Sequence, residues 1–127
     1  MQILGFYQEF WPAEAGEPVG RLTDLVGGDP LPDEAAITAY LRDGSELFSA
    51  MGSLRDVLGS DYRILGGDSL FTDGEWVWRG DLWFYLQTYH AALPGEFVAR
   101  VRELGHQVPE VSRERLIEVW GQVRTFL

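Results

Sequence analysis

The chain has 127 residues, 46% of them hydrophobic, with five Trp and seven Phe, and carries a net charge of −10. That length fits one domain, residues 1–127, able to bury roughly two-thirds of its unfolded surface without a metal or disulfide to help it fold. The lack of cysteine excludes disulfides, thiolate chemistry and Cys-ligated zinc, and the negative charge argues against nucleic acid and anionic membranes as partners, since their phosphates would be repelled.

Residues 3–10 are aromatic-rich and read as a first strand. The chain runs into this segment from Met1 without a charged start and apolar run, and no apolar stretch approaches the ~20 residues that span a bilayer. The expected location is therefore the cytoplasm. Pro12, Gly16, Pro18 and Gly20 break regular structure. Residues 22–26 allow a short helical turn, and Gly27-Gly28-Asp29-Pro30 reads as a loop. Asp33 is placed to cap a helix over residues 34–42, where Ala36, Ile37, Tyr40 and Leu41 share one face, and Gly44 ends it.

Residues 46–51 read as a strand, 52–59 as either a helical turn or a loop, and 62–65 as another strand, with Gly66-Gly67-Asp68 as a turn. A strand over 69–72, an Asp73-Gly74 turn and a strand over 75–79 predict a hairpin, because tight turns need residues that tolerate positive φ. Alternation puts Trp76 and Trp78 on one face. Gly80 breaks this strand, and Asp81 can cap a helix over 82–92 that is apolar almost all round and hence expected to be deeply buried. Pro94 opens the next helix, with Phe97, Val98, Val101 and Leu104 inward and Gly105 at its end. Ser112 is an N-cap for a last helix carrying Leu116, Ile117, Val119, Trp120, Val123 and Phe126. The helices cluster late in the chain, so the expected fold is α+β: an antiparallel sheet of about four or five strands with three or four helices mainly on one face.

No motif for catalysis, cofactor or metal stands out. Gly66-Gly67-Asp68-Ser69 lacks the Gly-Lys-Ser/Thr ending of a phosphate loop, and neither His-Glu-x-x-His nor Gly-x-Ser-x-Gly occurs. Asp73 with Glu75 is a carboxylate pair only by turn geometry, and nothing suggests the cleft a glycosidase pair needs. Trp76, Trp78, Trp83 and Phe84 could line a groove, but a packed core explains them better. His90, at the end of the central helix, reads as a structural histidine. As a catalytic base it would need a carboxylate within hydrogen-bond reach in a pocket. His106, beside Gly105, reads as a helix-end residue.

The acidic charge is uneven. Residues 1–46 hold nine carboxylates against only Arg21 and Arg42. Such a surface suits a basic protein partner, because complementary fields speed association. The candidate contacts are Glu9, Glu14, Glu17, Asp24, Asp29, Asp33 and Asp43.

Thr72-Asp73-Gly74-Glu75-Trp76-Val77-Trp78, then Asp81-Leu82 with Tyr85, then Tyr89-His90 with Leu93-Pro94 and Phe97, form a pattern. It resembles small uncharacterised or immunity-like bacterial proteins of polymorphic toxin systems, over residues 66–98. The resemblance implies a protein that is not an enzyme and uses no cofactor, and that neutralises a cognate protein toxin by plugging its active site or covering its substrate surface. The matched residues themselves look like scaffold. The alternatives are a structural or regulatory interaction module with no toxin, and an enzyme of unrecognised type using His90.

Overall fold

A computed structural model describes residues 2–3, 26–48, 53–55, 63–65 and 69–124. In chain order the elements are β1 (Gln2–Ile3), α1 (Glu34–Arg42), β2 (Ser45–Phe48), β3 (Ser53–Arg55), β4 (Arg63–Leu65), β5 (Leu70–Thr72), β6 (Trp76–Arg79), α2 (Leu82–Tyr89), α3 (Gly95–Glu103) and α4 (Arg113–Val123). The fold is α+β. Its antiparallel part is three strands, β6, β5 and β2, fewer than the four or five expected. The fourth strand of that sheet, β1, pairs parallel to β6, with Gln2 opposite Trp76 and Ile3 opposite Val77. In a separate antiparallel pair, β3–β4, β3 falls where the sequence left helix and loop open and β4 falls in the strand expected over 62–65. The rest of the 3–10 strand and of the 46–51 strand, and nearly all of the 22–26 turn, lie outside the described residues.

Alternation along β6 divides the protein into layers. Trp76 and Trp78 point to one face, where Ile37, Tyr40 and Leu41 of α1, Leu82, Tyr85 and Leu86 of α2, and Phe97, Val98 and Val101 of α3 complete the main core. Val77 points to the other face and meets Leu70 of β5 and Val119 and Val123 of α4. The sheet is thus covered by three helices on one side and by α4 on the other. Phe97 is the hub of the larger core. The rings of Tyr40, Trp76 and Trp78 meet it edge-on at 5.8, 5.5 and 6.0 Å between centroids, the arrangement the ring quadrupole favours. Trp78 also donates its indole N–H to the carbonyl of Leu41 at 2.9 Å, satisfying one of the carbonyls that a helix end leaves open. This contact brings the indole against Gly44, where a Cβ would sit 2.5 Å from the ring.

Three helix ends differ from the sequence reading. Asp33 and Asp81 precede α1 and α2 but make no side-chain cap, because both carboxylates bind arginines instead. The second helix stops at Tyr89 rather than running to 92. His90 takes a left-handed conformation, φ 55° and ψ 47°, and its N–H closes on the carbonyl of Leu86. The cap expected at Ser112 is present: its hydroxyl accepts the Arg115 N–H at 3.1 Å.

Candidate functional site

The motif residues form the framework beneath the surface. The hairpin turn has Gly74-Glu75 at its centre rather than Asp73-Gly74, with the Asp73 N–H donating to the Trp76 carbonyl at 3.3 Å. Gly74 has φ 98°, the positive value a tight hairpin turn asks of its first central residue. Asp73 is buried, and its carboxylate takes four hydrogen bonds. Oδ1 accepts the N–H groups of Glu75 and Trp76 at 2.9 and 2.8 Å. Oδ2 accepts the Tyr40 hydroxyl at 2.6 Å and the Arg100 Nε–H at 3.0 Å. One side chain therefore ties the hairpin to α1 and α3. Burial, and then the bond to Asp73, hold the Tyr40 hydroxyl above the ordinary tyrosine range. Burial works against the Arg100 charge, but the bond and charge of Asp73 outweigh it and raise the guanidinium above its usual value. Arg115 of α4 donates to the carbonyl of Gly74 at 2.9 Å, so the turn anchors the second layer too. Trp76, Trp78, Leu82, Tyr85 and Phe97 are all buried. Trp83 and Phe84 also pack in or against this core.

Both histidines reach the start of α1. Nδ1 of His90 lies 2.8 and 3.1 Å from the two carboxylate oxygens of Glu34. Nε2 of His106 lies 2.7 Å from Asp33, whose carboxylate also accepts Nε–H and an Nη2–H of Arg102 at 3.0 and 2.9 Å. The Arg102 bonds, and then the His106 bond, hold the Asp33 carboxyl well below the usual carboxylate range. The same pairing raises the Arg102 guanidinium. Consecutive carboxylates on α1 thus bind the ends of α2 and α3. Each histidine sits just past a helix, in the left-handed conformation usually filled by glycine. A carboxylate beside His90 only accepts, so Nδ1 is the donor in this contact.

Beside this pair lies the best-formed cavity among the described residues, about 610 Å³ in volume. Val26, Leu31, Leu86, Leu93 and Val98 give it apolar walls. Its polar lining comes from Asp29, Glu34, His90 and Arg102. No Ser, Thr, Tyr or Lys lines it, so among the described residues a chemical step here has a base, His90, but no side-chain nucleophile beyond carboxylates. No group of three His, Cys, Asp or Glu among the described residues is placed to hold a metal ion.

The acidic contact candidates divide three ways. Glu9, Glu14, Glu17 and Asp24 lie outside the described residues. Asp33 is engaged internally by Arg102 and His106. Asp29 lines the cavity, and Asp43, the C-terminal cap of α1, lines a broad groove on the α1–α2 surface. Sequence reasoning placed His90 near a helix end but missed Glu34, its partner 56 residues away, since nothing local marks that contact. Comparison with protein-family models, curated proteins and solved structures finds no match for this chain.

Proposed function

We propose that this is an immunity-type protein of the bacterial cytoplasm that binds and neutralises a cognate toxin with a basic surface. The supporting observation is how charge is spent. Arg79, Arg100, Arg102 and Arg115 all bind carboxylates of their own chain. Meanwhile the exposed side chains of Asp29, Asp43, Glu46, Glu75, Glu96, Glu103, Glu110 and Glu114 form no ion pair with any described residue. Exposed Arg42, Arg63, Arg113 and Arg124 are likewise outside any ion pair among the described residues, but the eight carboxylates outnumber them, and this excess of negative charge is the field that steers and holds a basic partner. No helix among the described residues is long and apolar enough to cross a membrane. The contact set is Glu9, Glu14, Glu17, Asp24, Asp29 and Asp43, with Asp33 at its margin. Mimicry of an anionic substrate by these carboxylates gives the toxin class: a nuclease or another enzyme that acts on polyanions.

The test has two stages. Tagged protein is used as bait in lysate and culture fluid of its own bacterium, and what survives a high-salt wash is identified. Any effector domain captured is then expressed in a heterologous host with and without this chain. Growth arrest that the chain relieves supports the reading. An expressed effector that is not captured, or arrest that is not relieved, sinks it.

A second reading is an enzyme with His90 as general base, favoured by the His90–Glu34 bond on the wall of a cavity. It requires a reaction in which water or the substrate supplies the nucleophile. Turnover of ester and amide probes lost in His90→Asn would favour it, and turnover equal in both proteins would remove it.

A further inference from the structure

The cavity is lined by groups that accept hydrogen bonds. Glu34 is a carboxylate, bound on one side by His90. His90 turns Nδ1 to Glu34, and its Nε2 has no bond to any described residue. Asp29, on the exposed rim, forms no ion pair among the described residues. The one cation among the described lining residues, Arg102, turns Nε–H and an Nη2–H to Asp33 and so brings a further negative charge with it. An anionic occupant would meet these carboxylates, and a wholly apolar one would strip water from acceptors without replacing its bonds. A cationic donor satisfies them, and the apolar walls fit the stem that carries it.

Size adds to this. A volume of about 610 Å³ lies in the ~300–1,000 Å³ range of small-ligand pockets, room for more than one side chain.

We infer that this cavity is the receptor for a protruding loop of the toxin, one that inserts an arginine together with an apolar neighbour. The inference rests on the toxin-neutralising reading and deepens it by placing the anchor contact. The arginine stem lies along Leu31, Leu86 and Val98, and its guanidinium donates to the carboxylates of Glu34 and Asp29.

The isotope-labelled full chain is titrated with acetyl-Leu-Arg-amide, and with acetyl-Leu-Leu-amide as control, by following backbone amide signals in NMR. Saturable shifts at Gly28, Glu34, His90, Leu93 and Gly95 are expected for the arginine peptide, with a dissociation constant of order mM. The leucine control and the Glu34→Gln variant should bind about tenfold more weakly or worse. Ala99→Trp, at an exposed α3 position on the cavity wall, fills the space without removing a hydrogen bond and should abolish the shifts while leaving the rest of the spectrum in place. Equal binding of the two peptides, unchanged binding to Ala99→Trp, or shifts away from the cavity each overturn the assignment. The peptide titration needs no toxin, so a failed toxin search leaves its result intact. A toxin neutralised equally well by wild type and Ala99→Trp would overturn the cavity as anchor while the toxin reading stood.

Discussion

At the scale of single residues, Asp73 joins the hairpin to α1 and α3. Its buried carboxylate is the acceptor for a hydroxyl, a guanidinium and two backbone N–H groups. Asp73→Ala leaves the Arg100 charge and three other donors without a partner, which should cost about 3–5 kcal/mol. Asp73→Asn keeps one acceptor oxygen and should cost about 2 kcal/mol. Urea unfolding at neutral pH measures both. An Ala variant as stable as the Asn variant would mean that the carboxylate does not carry the hairpin. His90 is the opposite case. Its left-handed conformation is tolerated by Asn as well as by His, and its bond to Glu34 is half-exposed, with the imidazole 36% exposed. An exposed pair contributes about 1 kcal/mol or less. His90→Asn should therefore change stability by less than about 1 kcal/mol in the same assay. A loss of several kcal/mol would make the histidine part of the framework rather than of the cavity.

At the scale of elements, α1 is held at both ends. Its start is bound to α3 by Asp33, and its end meets the sheet where Gly44 admits the Trp78 ring. A side chain at 44 has nowhere to go, because the neighbour is a buried indole already bonded to Leu41. Gly44→Ala should cost about 1–3 kcal/mol by overpacking, read as a lower urea midpoint with an unchanged slope. The Asp33 tie gives a pH signature. Its carboxyl titrates below the usual value of 3.8 in the folded protein. The stability it contributes is therefore present above that value and is lost as pH falls through the folded one. Wild type should be slightly more stable than Asp33→Asn at pH 5, the difference kept small because Arg102 is half-exposed, and the two should converge towards pH 2. A gap that persists at pH 2 would assign the effect to something other than ionisation. The helices were largely legible because their signals are local: the inward stripe of α1, Pro94 ahead of α3 and Ser112 ahead of α4 all read correctly, while the hairpin was placed but its turn is centred one residue later than expected, on Gly74-Glu75. What failed also failed locally. Asp33 and Asp81 have the right chemistry for caps, but more distant or stronger partners took their carboxylates. No period in the sequence announces that His90 will turn left-handed and end α2 early.

At the scale of the whole molecule, the sequence carried the layers in outline, since alternation along β6 sends Trp76 and Trp78 one way and Val77 the other. The parallel pairing of β1 was not legible, because pairing direction depends on chain path rather than on composition. The candidate site was legible only in halves. Asp29 and His90 stood out, but the cavity that both line is made by two segments distant in sequence, 26–34 and 86–102. The same scale governs how charge acts on stability. A net charge of −10 is borne partly by exposed carboxylates such as Asp43, Glu46, Glu75, Glu103 and Glu114, and packing them into one small fold makes them repel one another. Salt screens exposed charges beyond the Debye length, ~10 Å at 0.1 M. It screens the buried Asp73–Arg100 contact much less. Added salt should therefore relieve repulsion more than it weakens the internal pairs. Going from ~10 mM to ~0.5 M NaCl should raise the melting temperature by several degrees, the shift that about 1 kcal/mol produces in a domain this size. Thermal melts across that series check it. A melting temperature that falls with salt would show that the ion pairs at Asp33, Asp73 and Asp81 outweigh the repulsion between the surface carboxylates.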